Sequence, residues 1–270
     1  MQRYAVVQKY VGETPLEALE RLRATLQLSE DTPLAYAGRL DPMASGTLLI
    51  LIGDECKRQA EYHDLDKEYL FSVLFGISSD TGDVLGILKS CTKRTVAMSE
   101  IKELARILIG KIELPYPHFS SKTVRGKPLH IWTLEGRLSE IEIPIKRSVL
   151  HQLKCTGIET IQGRSVSERA LIKIHTVTEV TEESKQLGKN FRRDAVRSSW
   201  DAFAAQHGEE IFQIAHFRCV ASSGTYMRSL SEEIAKLLGT CGLAYAIERT
   251  SIGKYLPLTR RYGLWTKVFK

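Results

Sequence analysis

An Asp-Pro pair between two glycines, just before an apolar run, is the part of the chain best suited to chemistry. Pro42 restricts the preceding Asp41 to extended backbone dihedrals, and Gly38 and Gly46 permit the close approach of another backbone or a ligand. A carboxylate buried at such a place needs a cation nearby, because its pKa otherwise rises and it becomes neutral. The spacing alone leaves two interpretations of Asp41 open: a reactive carboxylate, or an aspartate that caps a helix or closes a turn.

The elements on either side of this segment follow from local signals. Thr14, Pro15 and Glu17 form a capping box with proline at the first helical position, and leucines at helical spacing follow them. The apolar run 48–52 predicts a strand with both faces covered. Asp41 therefore lies on the connection between a helix and a buried strand.

Four more regular elements are predicted farther along the chain. They are strands over 68–76 and 211–220 and helices over 99–108 and 229–238. Ser99 is the expected N-cap and Gly110 the expected C-cap of the first of these helices. The stretch 116–136 is rich in aromatic, basic and proline residues, and it predicts a long functional loop that contains a hairpin.

Composition places the chain among globular proteins: of its 270 residues 43% are hydrophobic and 26% charged, which excludes disorder and fibrous repeats. Lys and Arg number 38 against 32 Asp and Glu, a net charge of +6 that mildly favours a polyanionic partner. No apolar stretch approaches the ~18 residues of a membrane span, and the first residues lack the pattern of a signal peptide. A cytoplasmic protein without membrane segments is therefore expected.

A basic stretch, 185–197, interrupts what otherwise predicts sheet on both sides, so residues 162–210 are expected to form an insertion. Its basic residues are Lys185, Lys189, Arg192, Arg193 and Arg197, against the single acid Asp194. Two interpretations of this stretch stay open, a solvated surface excursion and an RNA contact.

The cysteines show no metal-binding or redox pattern. There are five of them, Cys56, Cys91, Cys155, Cys219 and Cys241. Because none lies in a C-x-x-C pair and the count is odd, we expect reduced thiols rather than a zinc site or disulfides, and no metal chemistry.

Residues 36–48 resemble the catalytic motif of TruB-type tRNA pseudouridine synthases, in which a glycine and two further residues precede Asp-Pro-x-Ala-(Ser/Thr)-Gly. Four further blocks resemble those of the family in the same order: residues 66–69 with 79–83, residues 115–127, residues 223–230 and residues 246–253. They resemble the family's tyrosine block with its following turn, its RNA-gripping thumb loop, its Gly-Thr-Tyr-Ile-Arg block and its last block. Any one block alone is a weak signal, whereas five in order are a specific one.

The resemblance implies conversion of uridine in RNA to pseudouridine with no cofactor and no metal. Asp41 would be the nucleophile that attacks either the base or the anomeric carbon, and Arg228 would pair with it and keep it ionised. Tyr69 would stack on the flipped uracil and assist removal of the carbon-5 proton. The residues themselves leave rivals open, because Tyr69 could simply fill the core and Arg228 could be a surface cation.

The resemblance also implies a set of residues that contact the RNA substrate: Tyr36, Arg39, Lys67, Phe119, Lys122, Lys127 and Ile247. A solvated face explains any single lysine of this set equally well. Thumb aromatics, Trp132 among them, could replace the stacking that a base loses on leaving the RNA, at roughly a few kcal/mol. The family's usual target is the T-loop uridine at position 55 of tRNA, so the tRNA T-arm is the expected partner.

Three features depart from the family's pattern. Tyr36 stands where the family usually has a histidine associated with flipping the target base, which puts efficiency or target choice in doubt. Residues 256–270 are too short for the C-terminal PUA domain of many relatives, so a single catalytic domain over 1–270, acting as a monomer, is expected. The insertion 162–210 is the third departure, and its basic residues could replace part of the tRNA binding that the PUA domain provides in those relatives.

The fold that the resemblance implies is α+β: a bent, mixed, mostly antiparallel sheet flanked by helices, with an RNA-binding cleft. Two other functions are alternatives to a tRNA pseudouridine synthase. One is a non-catalytic RNA-binding or RNA-folding protein of the same fold, and the other is a synthase that acts on ribosomal or other RNA. A pure binder needs none of Asp41, Tyr69 and Arg228, whereas Tyr36 in place of the histidine mildly favours one. A glycoside hydrolase is disfavoured, since no second acid stands out as a partner for Asp41.

Overall fold

The computed structural model describes residues 2–177, 192–259 and 262–269. These residues contain seven α-helices and thirteen strands. In the first half of the chain they are β1 (Tyr4–Lys9), α1 (Pro15–Thr25), β2 (Leu34–Tyr36), β3 (Ala44–Ile52), α2 (Gln59–His63), β4 (Asp66–Phe75), β5 (Ile77–Ser79), β6 (Leu88–Ser90), α3 (Met98–Ile107), β7 (Gly110–Pro115), β8 (Thr123–Val124), β9 (Lys127–Pro128) and α4 (Leu129–Leu134). In the second half they are β10 (Ile145–Gln162), α5 (Gly163–Thr176), α6 (Arg193–His207), β11 (Ile211–Ala221), α7 (Met227–Leu237), β12 (Gly242–Pro257) and β13 (Gly263–Phe269).

One large sheet organises these elements, with the strand order β1–β3–β12–β4–β11–β10–β7; in addition β13 pairs with β12, and β2 with β3. The β3–β12 pair is parallel and the other pairings of this sheet are antiparallel. The short pairs β5–β6 and β8–β9 lie outside it. The prediction of an α+β fold with a mixed, mostly antiparallel sheet and flanking helices is therefore confirmed.

The main core joins this sheet to helices α3, α5, α6 and α7. On the neighbouring strands β4 and β11, the rings of Phe71 and Phe217 stack with their centroids 5.1 Å apart. Trp200 of α6 is fully buried in the same core. Because burying one such side chain contributes roughly 1.5–3 kcal/mol, this core fixes the helices against the strands that carry the site described below.

Helix α1 begins at the capping box that the sequence predicts. The Glu17 N–H donates to Thr14 Oγ1 (3.2 Å), and the Thr14 N–H donates to the Glu17 carboxylate (2.6 Å). Buried Leu19 and Leu22 then pack against β1 and β3. Strand β3 is almost entirely buried, as the apolar run 48–52 predicts.

The N-cap of helix α3 lies two residues before the predicted one, Ser99. Its N-cap is Ala97, and the carboxylate of Glu100 accepts the Ala97 N–H at 2.9 Å. The expectation that Ser99 caps this helix is therefore wrong, because a glutamate inside the first turn supplies the acceptor. Its C-cap is Leu108, whereas Gly110 begins strand β7.

The stretch 116–136 contains the predicted hairpin, formed by β8 and β9, and also helix α4, which the sequence did not indicate. Trp132 of α4 is buried with Leu129 and Ile141, and its Nε1 donates to the carbonyl oxygen of Val124 at 3.1 Å. Its ring packs inside a small core of this loop, so the expectation that it replaces base stacking is wrong.

The chain between β10 and β11 forms the packed helical pair α5–α6. Of the basic residues that the sequence singles out in 185–197, Arg192, Arg193 and Arg197 are described, whereas Lys185 and Lys189 lie outside the described residues.

Cys91, after β6, and Cys241, before β12, form a disulfide whose Cα atoms lie 6.3 Å apart. The prediction of reduced thiols is wrong for this pair, because a separation of 150 residues leaves no local pattern to indicate the pairing. Cys56, Cys155 and Cys219 are free.

Within the described part of the chain, no group of three or more His, Cys, Asp or Glu could hold a metal ion. Over the same residues, no helix combines the length and apolar character that crossing a membrane requires.

Candidate active site

Asp41 lies on the loop between β2 and β3, which several backbone contacts hold in place. The carbonyl oxygen of Asp41 accepts the Ala44 N–H at 3.0 Å, and the carbonyl oxygen of Pro42 accepts the Gly12 N–H at 2.9 Å. The fully buried Lys9 ammonium donates to the Ala44 carbonyl oxygen at 2.5 Å. These bonds fix the aspartate and the loop residues that follow it.

Gly46 is required where this loop enters the parallel β3–β12 pairing. Its φ is +109°, and a Cβ built there would lie 2.2 Å from the backbone oxygen of Arg249. Only glycine adopts this backbone conformation without strain, and only glycine lets β12 approach so closely. The glycine that the sequence marks for close approach therefore admits another strand of the protein.

Arg228, in the first turn of α7, is bonded to Asp41 and to two backbone carbonyls. Its Nε donates to Asp41 Oδ2 at 2.8 Å, while Nη1 donates to the Thr81 oxygen at 2.9 Å and Nη2 to the Phe119 oxygen at 3.2 Å. The Arg228 side chain is 5% exposed, whereas that of Asp41 is 37% exposed. The cation is therefore fixed inside the protein, and the carboxylate it orients remains open to a ligand.

A second carboxylate, that of Asp83, also approaches Arg228, with its Oδ2 3.7 Å from the same Nε atom that bonds to Asp41. Its Oδ1 accepts hydrogen bonds from Thr81 Oγ1 at 2.7 Å and from the Leu85 N–H at 2.9 Å. Burial raises the pKa of Asp83 to about 6, against the opposing effect of Arg228. Asp83 is a site residue that the sequence analysis missed, although it ends the 79–83 block that carries the resemblance.

Tyr69 of β4 is buried next to Asp41's loop and near the side chain of Arg249. Burial raises the pKa of the Tyr69 hydroxyl above its ordinary value. Arg249, also fully buried, donates from Nε to the Thr47 oxygen at 2.8 Å and from Nη2 to the Gly38 oxygen at 3.3 Å. Arg249 thus bonds to the loop beside the tyrosine, and it is the second residue that the sequence analysis missed.

A cavity of about 120 Å³ opens in front of Asp41. The residues that line it come from Asp41's loop, the 79–85 turn, the thumb loop, α7 and the α5–α6 pair: Asp41, Pro42, Thr81, Asp83, Leu85, Phe119, Ile174, Val177, Arg192, Arg193, Val196 and Arg228. Asp41 and Arg228, both predicted site residues, therefore meet in one cavity with the predicted RNA contact Phe119. Tyr69 is not among its lining residues.

Three predicted RNA contacts have side chains near or at the surface of the loops around the cavity. Exposed Arg39 donates from Nη1 to Ser121 Oγ in the thumb loop at 2.9 Å. Lys122 is exposed, with its ammonium 5.4 Å from the centre of the Tyr116 ring. The Lys127 ammonium bonds to the Glu135 carboxylate at 2.7 Å.

The other three predicted contacts, Tyr36, Lys67 and Ile247, do not line the Asp41 cavity. The Lys67 ammonium, almost fully buried, donates to the His63 carbonyl oxygen at 3.0 Å, and burial lowers the pKa of Lys67 to about 8. Tyr36 packs against the α1–β3 cluster and Ile247 belongs to the main core. Lys67 and Ile247 are buried, whereas Tyr36 is partly exposed.

Comparison with known proteins gives a consistent family. Residues 27–180 match the family model described as TruB family pseudouridylate synthase (N terminal domain). The chain is 26% identical to tRNA pseudouridine synthase B of Caldicellulosiruptor saccharolyticus, covering 94% of this chain and 69% of the relative. It is 25% identical to tRNA pseudouridine synthase 4 of Saccharomyces cerevisiae, covering 97% and 73%.

Solved structures of similar fold include a chain of a Cbf5–Nop10–Gar1 complex, with a TM-score of 0.55 and 16% identity. A chain of an H/ACA ribonucleoprotein bound to a substrate RNA containing 2'-deoxyuridine has a TM-score of 0.51 and 14% identity. These matches cover 93% and 92% of this chain but only 49% and 46% of the solved chains, so this chain spans about half of their length. At such identities the likeness bears on the fold alone.

Proposed function

This chain belongs to the TruB family of pseudouridylate synthases, and from that membership we propose that it isomerises the T-loop uridine at position 55 of tRNA to pseudouridine. Family and fold indicate the coarser function, an RNA pseudouridine synthase of the tRNA-modifying type. The T-arm as the binding partner, action as a monomer and a cytoplasmic location are further parts of this proposal.

The observation that carries the proposal is the contact between Asp41 and Arg228 at the cavity. A guanidinium fixed beside a carboxylate holds the carboxylate in a single orientation, as a nucleophile requires. Because Asp41 is 37% exposed while Arg228 is 5% exposed, a ligand can reach the carboxylate without displacing its partner. The cavity of about 120 Å³ offers room for a base that has left its stack.

In the proposed reaction, Asp41 attacks the base or the anomeric carbon, and the bond between base nitrogen 1 and the ribose breaks. The base then turns, carbon 5 bonds to the anomeric carbon and the bond to Asp41 breaks. The carbon-5 proton leaves and nitrogen 1 takes up a proton, so the product is an isomer of the substrate. Asp41 is regenerated at the end of the cycle. Tyr69 is proposed to stack on the uracil and to assist the loss of that proton. Because its ring is buried and does not line the cavity, this role requires a movement that exposes it.

A tritium-release assay on several RNAs tests the target. With uridine labelled at carbon 5, we expect release from a tRNA transcript and from an isolated T-arm hairpin, followed by chemical mapping of pseudouridine to position 55. The matched control is the same tRNA with cytidine at that position, which should release no tritium. Release from ribosomal RNA alone would favour the synthase with another target, and tight binding with no release from any RNA would favour the non-catalytic RNA binder.

A further inference from the structure

The helical pair α5–α6 forms one wall of the Asp41 cavity and is bonded to the segment that carries Thr81 and Asp83. Trp200 Nε1 donates to the Val84 carbonyl oxygen at 3.0 Å, and Ser199 Oγ accepts the Leu88 N–H at 2.9 Å. Ser167 Oγ of α5 donates to the Trp200 carbonyl oxygen at 2.8 Å. These buried or half-buried bonds make the pair a fixed part of the site rather than a separate surface excursion.

Arg192, the residue directly before α6, lines the Asp41 cavity. Its Nη1 and Nη2 form a bidentate pair with the Asp80 carboxylate, at 2.5 Å and 3.3 Å, and its Cζ lies 4.5 Å from the centre of the Phe119 ring. The Arg192 side chain is 22% exposed and that of Asp80 is 18% exposed. A planar guanidinium that is bonded on one edge and stacked on a ring is already oriented, and it retains N–H donors for a further acceptor.

Charged groups of both signs line the cavity. Its lining holds the guanidiniums of Arg192, Arg193 and Arg228 and the carboxylates of Asp41 and Asp83, three positive groups against two negative ones. Arg228 donates hydrogen bonds to Asp41 and to two backbone carbonyl oxygens, and Arg193 donates to the Val177 carbonyl oxygen. Arg192 is therefore the cavity-lining arginine that pairs with a carboxylate outside the lining and stacks on a ring, with two of its five N–H donors used in the bonds to Asp80.

We propose that Arg192 binds a backbone phosphate of the RNA substrate, at the target nucleotide or its direct neighbour, while the target base lies at Asp41. This inference rests on the proposed function, because it assumes an RNA substrate, and it adds a contact from the α5–α6 pair. The competing explanation is that the Arg192–Asp80 pair only fastens α6 to the 79–83 turn.

Equilibrium binding of a tRNA T-arm hairpin, measured over a range of salt concentrations, separates these explanations. A phosphate contact predicts that Arg192→Gln weakens binding about tenfold and reduces the slope of log affinity against log salt by about 1. The matched control is Arg164→Gln on α5, because Arg164 is 61% exposed, pairs with Glu209 and does not line the cavity. The control variant should keep both the affinity and the slope of wild type, and an unchanged slope in Arg192→Gln overturns the proposal.

A second variant keeps the test decisive if Arg192→Gln folds poorly. Asp80→Asn removes the charge that opposes Arg192 but leaves an oxygen to accept the Ile87 N–H, which now bonds to Asp80 Oδ1 at 2.9 Å. The phosphate contact predicts RNA binding at least as tight as wild type for Asp80→Asn, whereas a mere clamp predicts the same loss as for Arg192→Gln.

The outcome for Arg192 is distinguishable from the outcome for the proposed function. If wild type binds the hairpin with a salt-dependent affinity but releases no tritium, the proposed activity fails while the slope of Arg192→Gln still decides the phosphate contact. A wild-type chain with no salt-dependent affinity for the hairpin or for whole tRNA overturns the phosphate contact.

Discussion

Replacing Arg228 by methionine removes the cation that both Asp41 and Asp83 approach. Methionine fills similar space in the core but offers no donor to the two carboxylates or to the carbonyl oxygens of Thr81 and Phe119. The buried position of Arg228, 5% exposed, means that water cannot replace these bonds without rearrangement. We therefore expect both the stability and the activity of the protein to fall.

The expected loss of stability follows from the burial of each partner. Removing one member of a buried ion pair costs roughly 3–5 kcal/mol, and each carbonyl left without a donor adds about 1–3 kcal/mol. Two effects reduce this sum: Asp41 is 37% exposed and therefore screened, and Asp83, with a pKa already at about 6, can take up a proton. The free energy of unfolding should therefore fall by at least about 3 kcal/mol at pH 7, the lower end of the cost of the ion pair alone.

Activity should fall by at least about 10²-fold, because Asp41 loses the bond that orients it. Denaturant unfolding measures the stability, and single-turnover tritium release at saturating enzyme measures the chemical step. The matched control is Arg147→Met, which breaks an exposed pair with Glu113 and should change stability by no more than about 0.5 kcal/mol. A folded Arg228→Met variant with wild-type turnover would show that Asp41 does not need the bond from Arg228.

Two further perturbations follow from the same region. Gly46→Ala should destabilise the protein by several kcal/mol, since its Cβ would lie 2.2 Å from the Arg249 oxygen; Gly53→Ala, also at positive φ but with no atom within 4 Å, is the control and should cost only about 1 kcal/mol. Equal losses for the two glycines, measured by denaturant unfolding, would contradict the close β3–β12 approach. Burial raises the pKa of Glu232 from 4.5 to about 7, so between these pH values the folded state holds a proton that the unfolded chain has lost, and stability falls as the pH rises. Glu232→Gln should therefore stabilise the protein at pH 8 and change little at pH 4, and an equal effect at both would show that Glu232 is not buried in this way.

Local signals predicted the elements whose causes are local. The capping box at Thr14 and the apolar run of β3 each contain their own explanation within a few residues. The start of α3 shows the limit of such signals, because two candidate acceptors, Ser99 and Glu100, lie side by side and the glutamate reaches back to Ala97.

The site was predictable only as far as the resemblance named its residues. Asp41 and Arg228 lie 187 positions apart in the sequence, and nothing in spacing or composition places one against the other. Asp83 and Arg249 sit inside matched blocks, yet their roles depend on contacts that only the sheet brings together. A signal did exist for Asp83, since an acid that ends a turn beside a family motif is a candidate partner for the motif's arginine.

The predicted RNA contact of Lys67 stays a prediction, because it comes from the resemblance and not from charge. The alternative of a solvated lysine is wrong, since backbone carbonyls and Ser223 Oγ accept hydrogen bonds from its ammonium inside the protein. Conversely, Arg192 drew notice only as one of several basic residues in a surface stretch, and the packing of α6 brings it to the cavity. Burial of long side chains depends on the tertiary partners, which the sequence does not show.

The central claim, that Asp41 is the nucleophile of a pseudouridine synthase, is tested most directly by comparing wild type with Asp41→Asn. Both proteins would be mixed with tRNA labelled at carbon 5 of uridine, in a single turnover, after their binding of that tRNA has been matched. If Asp41 is the nucleophile, we expect rapid tritium release by wild type and none above background by Asp41→Asn, with tRNA binding retained. Release by the asparagine variant at a rate near that of wild type would contradict it.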